Sequence, residues 1–590
     1  MSRNKRTWFG LLVIGLWGLL APAMVQAQGS ADAMIRLLES GRLPEARIGA
    51  VVDLVAQRGD ADQLGFLFTE ATKPDGYNDT LRMKTLQALR EATKARKVIP
   101  AGDLAPLAKM LTSDDAAEKS LGVELSGLWK VESAAEPLAQ IALSSEEQGR
   151  LRRQAIAGLG QIGGPVNEQT IAKLAQADQP LEIRYLGVAA LTKVDLDKSA
   201  TIAAEVLASA DTSVDPSEMI TAFLEHQTGP AKLAAAIAEK DLDANIAKMC
   251  LRRVYAIGRS DAELVDVLNE AAGIESNPKP LTDDELKAMS EEVLAKGDAA
   301  RGEMIFRSAE LSCMKCHAVS GAGGDIGPDL SPVGANSPVD YMITSILQPE
   351  LVVKEAYLMR TVLTIDGKVY QGVVVSEDDQ RLILKEGSGQ EVVIPLDDVD
   401  AEKEGGSLMP KGLANFLTQQ EFLDLNRFLA ELGKPGPYVV RSTPTVQRWR
   451  ALKELPSALS AESVPTVGEF ESTIAEAAED DWVPAYGTVG GMLPVEELAQ
   501  EENPVRFLYA EVDVVEQGSV RLKLNATQGV RVWIGYVPHD PAQEIVTDLP
   551  VGKHRIYLRV DTRKFPEPGL KLVVEKPSGS TAQYTVVDGP

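Results

Sequence analysis

The chain of 590 residues predicts a multidomain protein: an all-α solenoid, then a compact all-α domain carrying a small inserted β-module, then a C-terminal β-sandwich. Three observations predict it. Leucines recur with a period in the low thirties between residues 30 and 270. That pattern gives way to a Cys-x-x-Cys-His segment between two amphipathic helical runs. From Val505 onward the apolar period falls to two. Length alone predicts three or four domains. A composition of 44% hydrophobic and 25% charged residues is that of folded globular chains. Aromatics are only 5%, a bias suited to packed helices. Lys and Arg number 60 against 86 Asp and Glu, a net charge of -26. Such a surface repels phosphate backbones and excludes nucleic acid as a partner. The three cysteines, Cys250, Cys313 and Cys316, are too few for a disulfide scaffold.

The N-terminus sets the compartment. Arg3, Lys5 and Arg6 precede an apolar run from Trp8 to Leu20, Pro22 breaks it, and Val25-Gln26-Ala27 places small residues at positions -3 and -1. This predicts a signal peptide over 1–27 with cleavage after Ala27. The competing reading is an uncleaved anchor, since Trp8 to Val25 is 18 residues and just spans a bilayer. The cleavage site directly after the apolar run favours removal. The expectation is a soluble exported protein, periplasmic, and not an integral membrane protein once cleaved.

Residues 28–275 carry the repeat. Leu89, Leu125, Leu159, Leu191, Leu224 and Ile257 hold equivalent places, at spacings of 36, 34, 32, 33 and 33. A period of that size with amphipathic helices predicts stacked helix pairs, none stable alone. The short Ala-rich segments with a leading arginine, Arg82-Met-Lys-Thr-Leu-Gln-Ala-Leu89 and Arg152-Arg-Gln-Ala-Ile-Ala-Gly-Leu159, resemble HEAT-like repeats. Such an array is a docking surface or a structural spacer. Cys250 falls on a helix and is expected as a buried, inert side chain. Residues 276–296 are expected as a linker.

Residues 297–434 carry the chemistry. Cys313-Met-Lys-Cys316-His317 is the attachment signal for c-type haem. Two thiols three residues apart reach the two vinyl groups on one edge of a porphyrin, and the histidine that follows falls under the iron. A thioredoxin-like pair needs a strand before it and a helix after it. Here a helix-like segment precedes and the Gly-rich 320–325 follows. A zinc site needs two further Cys or His ligands nearby, and the nearest other histidine is His226. Gly297 to Phe306 reads as a helix before the motif. Leu417 to Leu432 reads as a closing helix with Phe422, Leu425, Phe428 and Leu429 on one face. Gly302 would let these two helices cross closely.

Between them the period changes. Tyr357–Ile365 and Lys368–Ser376 flank an Asp366-Gly367 turn, and Arg381–Lys385 with Gln390–Pro395 forms a second strand pair. This predicts an inserted β-module at about 357–400. The whole resembles a class I cytochrome c domain of the planctomycete-type haem-binding family, in which an insert with a dG-x-x-x-x-G pattern precedes a Ser-x-Met-Pro loop. Asp366-Gly367-Lys-Val-Tyr-Gln-Gly372 and Ser407-Leu-Met409-Pro410 match, and the resemblance covers about 140 of the 590 residues. It implies one covalent haem c held by Cys313 and Cys316, with His317 and Met409 as axial ligands. It also implies that the Pro328 carbonyl, within Gly327-Pro-Asp-Leu330, accepts the Nδ1–H of His317. The other methionines weighed for the axial place are Met304, Met314, Met342 and Met359. The first two lie too close to the motif, and Met342 sits in an apolar helical run.

Residues 435–500, rich in Pro, Ala, Ser and Glu, are expected mostly as a linker. Strand-like runs then follow at 505–514, 519–525, 530–537, 553–560 and 570–575, a β-sandwich over 501–590. Its Gly529-Val-Arg-Val-Trp533 strand resembles the central strand of PA14-like or lectin-like sandwiches. Trp533 either stacks on a glycan or, more often for a tryptophan, lies in the core.

A thioether opposite an imidazole fills both axial positions of an iron, leaves no place for peroxide or oxygen, and raises the potential relative to two imidazoles. The expected function is outer-sphere electron transfer by an exported monohaem cytochrome, without a catalytic module of its own. The expected partner is a redox protein, a dehydrogenase or another cytochrome. Residues 297–434 hold 22 acids and 12 bases, so that partner would present a basic or neutral face. Two other classes stay open: a scaffold or glycan- or protein-binding protein with an accessory haem, and a haem enzyme such as a peroxidase, which needs an open distal site.

Overall fold

The computed structural model describes residues 31–586 apart from 148, 259–260, 276–278, 309, 440–444, 457–458, 460–462 and 499–502. The expected signal peptide at 1–27 lies outside the described residues. Among the described residues no helix is long and apolar enough to cross a membrane. The chain divides into two compact units, 1–274 and 275–590.

The first unit is helical. Its principal helices are α1 (Glu45–Arg58), α2 (Ala61–Thr72), α3 (Asp79–Arg96), α4 (Ala116–Leu128), α5 (Ala135–Leu143), α6 (Gly149–Ile162), α7 (Pro165–Leu174), α8 (Leu181–Leu191), α9 (Leu196–Ala208), α10 (Ser217–Leu224), α11 (Gly229–Ile237), α12 (Ala244–Ala256) and α13 (Ala262–Ala271). They stack in two rows. In one, α4, α6, α8, α10 and α12 each pack on the next; in the other, α9, α11 and α13 do so. The periodic leucines Leu89, Leu125, Leu159 and Leu191 are fully buried and Leu224 nearly so. Ile257 departs from the pattern: it is the C-cap of α12, where its row ends within the unit, and it stays 38% exposed. Ion pairs also link helices, Arg82 of α3 with Glu118 of α4 at 3.2 Å and Lys198 of α9 with Glu168 of α7 at 2.6 Å. The leading Arg152 is buried, and its Nε donates to the Ala142 carbonyl of α5 at 2.8 Å. Cys250 is fully buried, and burial pushes its thiol well up, so it stays protonated.

The second unit opens with α14 (Asp283–Lys296), a helix where a linker was expected. Thr282 and Glu285 form a capping box at its start, and Val293 is buried in the core that follows. Leu286 and Met289 pack on the same core but stay half-buried, and the acids around these few apolar positions read as linker in the sequence. Next come α15 (Ala299–Arg307), the one-turn α16 (Cys313–Cys316), α17 (Val339–Leu347) and α18 (Gln419–Glu431). Phe306, Met342, Ile343, Leu423, Leu425 and Phe428 fill the core between them. A Cβ on Gly302 of α15 would stand 2.0 Å from the Asp424 carbonyl oxygen and 2.7 Å from Phe428 Cβ, so α15 and α18 touch backbone to backbone there. Asp424 is 2% exposed, yet it faces several donors: Arg301 through Nε at 2.7 Å and a second nitrogen at 3.0 Å, the Asp298 amide at 2.7 Å and Gln420 at 2.8 Å.

Between α17 and α18 lies a five-stranded antiparallel sheet of β1 (Met359–Thr364), β2 (Val369–Glu377), β3 (Arg381–Glu386), β4 (Glu391–Pro395) and β5 (Val399–Glu404). The strand order is β4-β3-β2-β1-β5. Val362, Leu382, Leu384 and Ile394 make its small core. The fifth strand extends the module beyond the expected 357–400. Its sequence, Val-Asp-Ala-Glu-Lys-Glu, is almost wholly exposed, so no apolar alternation marks it.

The C-terminal part is β-rich and begins well before residue 501. Strands β6 (Arg448–Leu452) and β7 (Trp482–Tyr486) come from the expected linker. With β8 (Val505–Glu516), β10 (Val530–Ile534), β11 (Val537–His539), β13 (Gly552–Asp561) and β15 (Gln583–Val586) they build one sheet, ordered β11-β10-β13-β8-β6-β7 with β15 also on β8. A second sheet has β9 (Gly518–Leu524) between β12 (Glu544–Leu549) and β14 (Leu572–Glu575). Both sheets contribute to one core, through Leu508, Val532 and Leu558 on one side and Leu522, Ile545 and Val574 on the other. Trp449, Ala451 and Leu452 of β6 are buried, and the Pro and Glu around them conceal this in the sequence. Trp533 is also buried, 2% exposed, with Phe470 stacked on it at 4.6 Å and 4°. It offers no open face to a sugar.

Gly302→Ala tests the helix crossing. In a free-standing helix this exchange gains about 1 kcal/mol. Here the overpacked backbone contact is expected to cost about 1–3 kcal/mol in denaturant unfolding; a gain would mean that α15 and α18 do not touch at this point.

Candidate functional site

The Cys-x-x-Cys pair occupies the single turn of α16, entered through Ser312 in the left-handed region at φ +57°. One helical turn brings Cys313 and Cys316 onto neighbouring positions, and His317 follows as the C-cap in extended conformation. Both cysteines are half-buried and unpaired by any disulfide. Burial pushes Cys313 up to about 11, and burial also raises Cys316 against the pull of Lys315.

The chain then doubles back over this turn. Residues 318–319 and 322–323 pair as a two-residue hairpin. The Gly324 amide donates to the Met314 carbonyl at 2.7 Å, and the Gly327 amide to the Cys316 carbonyl at 2.8 Å. This brings the 324–328 loop against the His317 ring. A Cβ on Gly327 would stand 2.6 Å from His317 Cε1 and 2.9 Å from Nδ1, so only glycine lets the backbone lie flush with the imidazole. His317 Nδ1 lies 2.9 Å from the Pro328 carbonyl oxygen. A carbonyl only accepts, so Nδ1 carries the proton and Nε2 keeps its lone pair. Burial pushes the ring below the usual imidazole range, against the opposing pull of that hydrogen bond. The ring is therefore neutral, oriented and open to a metal at Nε2 alone.

Met409 is half-buried and packs against the same apolar core as Cys313, Leu330 and Met342. Its amide donates to Ser407 Oγ at 3.1 Å. Of the other methionines weighed, Met304 is 63% exposed, while Met314 and Met342 are core side chains at 7% and 3%. Met359, at the start of β1, reaches the Met409 loop: its methyl stands 3.4 Å from where a Cβ on Gly406 would be. Among the described residues no three His, Cys, Asp or Glu side chains gather as a metal-binding group. A haem needs no such group, because its porphyrin supplies the equatorial nitrogens and the protein owes the iron only two axial atoms. A neutral imidazole fixed from behind, two uncharged thiols one turn apart and a thioether on the same core fit that demand.

Two neighbours brace the site, and the sequence shows neither. On the side of the C-terminal sheets, the Arg307 guanidinium donates to the Tyr486 and Gly487 carbonyls at 2.7 Å each and to the Glu497 carboxylate at 2.6 Å. Glu303 accepts from the Val489 amide at 2.6 Å, and Arg448 donates to Gly321 of the hairpin at 2.8 Å. Val489 is itself buried in the core around Met314. From the inserted module, Lys385 pairs with Asp325 at 2.8 Å. These pairs join residues 60 to 190 positions apart, and no local pattern records them. A separate groove of about 320 Å³ runs along β10 and β11, lined by Pro465, Arg531, Trp533, Pro538, His539 and Asp540; none of the motif residues faces it.

No family model and no curated protein matches the chain.

The docking of the C-terminal sheets has two measurable consequences. Arg307→Ala leaves two carbonyls and Glu497 without their shared donor and is expected to cost about 2 kcal/mol of the second unit's stability by thermal unfolding. Burial holds the Glu303 carboxyl above its usual value of 4.5. The folded chain thus binds the Glu303 proton more tightly, and this residue's contribution to stability falls as pH rises through the window above 4.5. Glu303→Gln keeps the acceptor for Val489 without the charge. Stability at pH 7 is expected to be equal or higher, with a flatter pH dependence; a clear loss would show the carboxylate itself to be the stabilising species.

Proposed function

We propose that this chain is an exported monohaem c-type cytochrome that transfers electrons by an outer-sphere route. In this reading the first unit is a HEAT-like solenoid, residues 297–434 form a class I cytochrome c domain interrupted by the β-module, and the C-terminal sheets form a sandwich docked on it. Cys313 and Cys316 would hold one haem c as thioethers, the addition of each S–H across a vinyl group leaving no atom over. His317 through Nε2 and Met409 through its sulfur would hold the iron. The bound haem supplies a one-electron couple at a potential raised by thioether ligation.

The residues of the chain do the rest. Pro328 keeps the His317 proton on Nδ1 and increases the donor strength of Nε2. Gly327 keeps the ring from tilting. The core around Met342, Leu330 and Leu425 excludes water and so limits reorganisation when charge changes. The acidic surface of this region, with 22 acids against 12 bases, selects a redox partner, a dehydrogenase or another cytochrome, with a basic or neutral face. The observation that carries the reading is the His317 Nδ1 to Pro328 contact at 2.9 Å directly after the Cys-x-x-Cys turn. Such a contact fixes an imidazole as a metal ligand; directly after a Cys-x-x-Cys turn, with no further Cys or His near it in the sequence, that ligand suits a haem iron.

The test is an optical spectrum with a pyridine haemochrome assay on the full chain, produced in a host that attaches haem to exported proteins. One haem per chain and a low-spin spectrum are expected, with covalent attachment lost in Cys313→Ala together with Cys316→Ala. Met409→Ala is expected to give a high-spin iron that binds cyanide at least about tenfold more tightly, a change of about 1.4 kcal/mol or more. A high-spin wild type that already binds cyanide readily would favour a haem enzyme.

A further inference from the structure

We propose that the inserted β-module is a clamp that fixes the two ligand-bearing loops against one another, with Lys385 as its positioning residue. The proposal rests on the His317/Met409 reading above. The module's place in the sequence accounts for its contact with one loop only. Strand β5 runs directly into Gly405-Gly406-Ser407, which leads to Met409. The Met359 amide donates to the Gly406 carbonyl at 3.2 Å, and the Gly405 amide returns to the Met359 carbonyl at 2.9 Å. Lys411, just past Met409, pairs with Glu350 on the other side of the insert at 2.7 Å.

The second contact is not given by sequence order. Lys385 of β3 reaches the loop behind His317, where its ammonium meets Asp325 at 2.8 Å, and its side chain is only 17% exposed. Next to it Ile326 is 5% exposed, and its δ-methyl lies 3.9 Å from where a Cβ on Gly389 of the β3–β4 turn would stand. Asp325 and Ile326 immediately precede Gly327 and Pro328, the two residues that hold the His317 ring. One rigid sheet thus grips the proximal loop by Lys385 and the distal loop by β1 and β5. A free loop of the length between His317 and Met409 would let a thioether leave the iron readily. A sheet with its own core, tied at both ends, restricts that motion and so favours the six-coordinate state.

The charges of the pair separate this role from a field effect. Lys385→Met and Asp325→Asn change the local charge in opposite directions, so a purely electrostatic role predicts opposite shifts in midpoint potential and no shared change in ligand exchange. Loosening of the clamp predicts the same change in both variants. Cyanide titration of the oxidised full-length protein is expected to show affinity raised about two- to fivefold in each, the range an ion pair of this exposure supplies. Faster hydrogen exchange at the Gly327 amide is expected in both, and Lys385→Arg restores wild-type behaviour. A coloured, six-coordinate wild type whose two variants leave cyanide affinity and Gly327 exchange unmoved would overturn the clamp and leave the cytochrome reading intact. A wild type without covalent haem overturns both.

Discussion

An imidazole held from behind is the constraint on which the region around the Cys-x-x-Cys turn is built. His317 follows a one-turn helix and would otherwise be free to rotate about its side-chain torsions. The Pro328 carbonyl takes its Nδ1 proton, Gly327 presses flat against its ring, and the amides of Gly324 and Gly327 tie that loop back to the carbonyls of the same turn. Each contact depends on the others. A side chain at 327 would push the loop away, and the Pro328 oxygen would leave with it. Burial then keeps the ring neutral, the form that donates to a metal.

The surroundings explain how so short a motif is kept in place. The crossing of α15 and α18 at Gly302 sets the frame, and Asp424 locks it by accepting from Arg301, Gln420 and the Asp298 amide. A carboxylate that buried is tolerated because it is paired and fully hydrogen-bonded. The C-terminal sheets close another side through Arg307, Glu303 and Val489. They belong to the same compact unit as the Cys-x-x-Cys-His segment and act as part of its wall, whereas a tethered binding module would share no core with it. The burial of Trp533 under Phe470 agrees with this, since the aromatic surface of these sheets is spent on their own packing.

Different parts of the molecule were legible in the sequence to different degrees, for physical reasons. The helices of the first unit announce themselves because every repeat buries one leucine at the same place, and the pattern fails only at Ile257, where the row ends. The closing helix and the first four strands of the β-module are visible because one face of each is apolar. Strand β5 is not, since it lies at a sheet edge with nearly every side chain in water. The helix at 283–296 and the strands at 448–452 and 482–486 hide in charged or Pro-rich surroundings, because a few buried side chains suffice to dock them. The members of the candidate site were legible as residue types at fixed spacing. Its second layer, Lys385 on Asp325 and Arg307 on the Tyr486 and Gly487 carbonyls, was not, because it is made only when distant segments meet.

The claim that stands beneath all of this is covalent, and one measurement addresses it directly: mass spectrometry of proteolytic peptides from the full-length protein. The account predicts that the peptide containing Cys313 and Cys316 carries the mass of one haem, with both thiols consumed and Cys250 unmodified. Recovery of that peptide with two free thiols, from a host that matures c-type cytochromes, would contradict it.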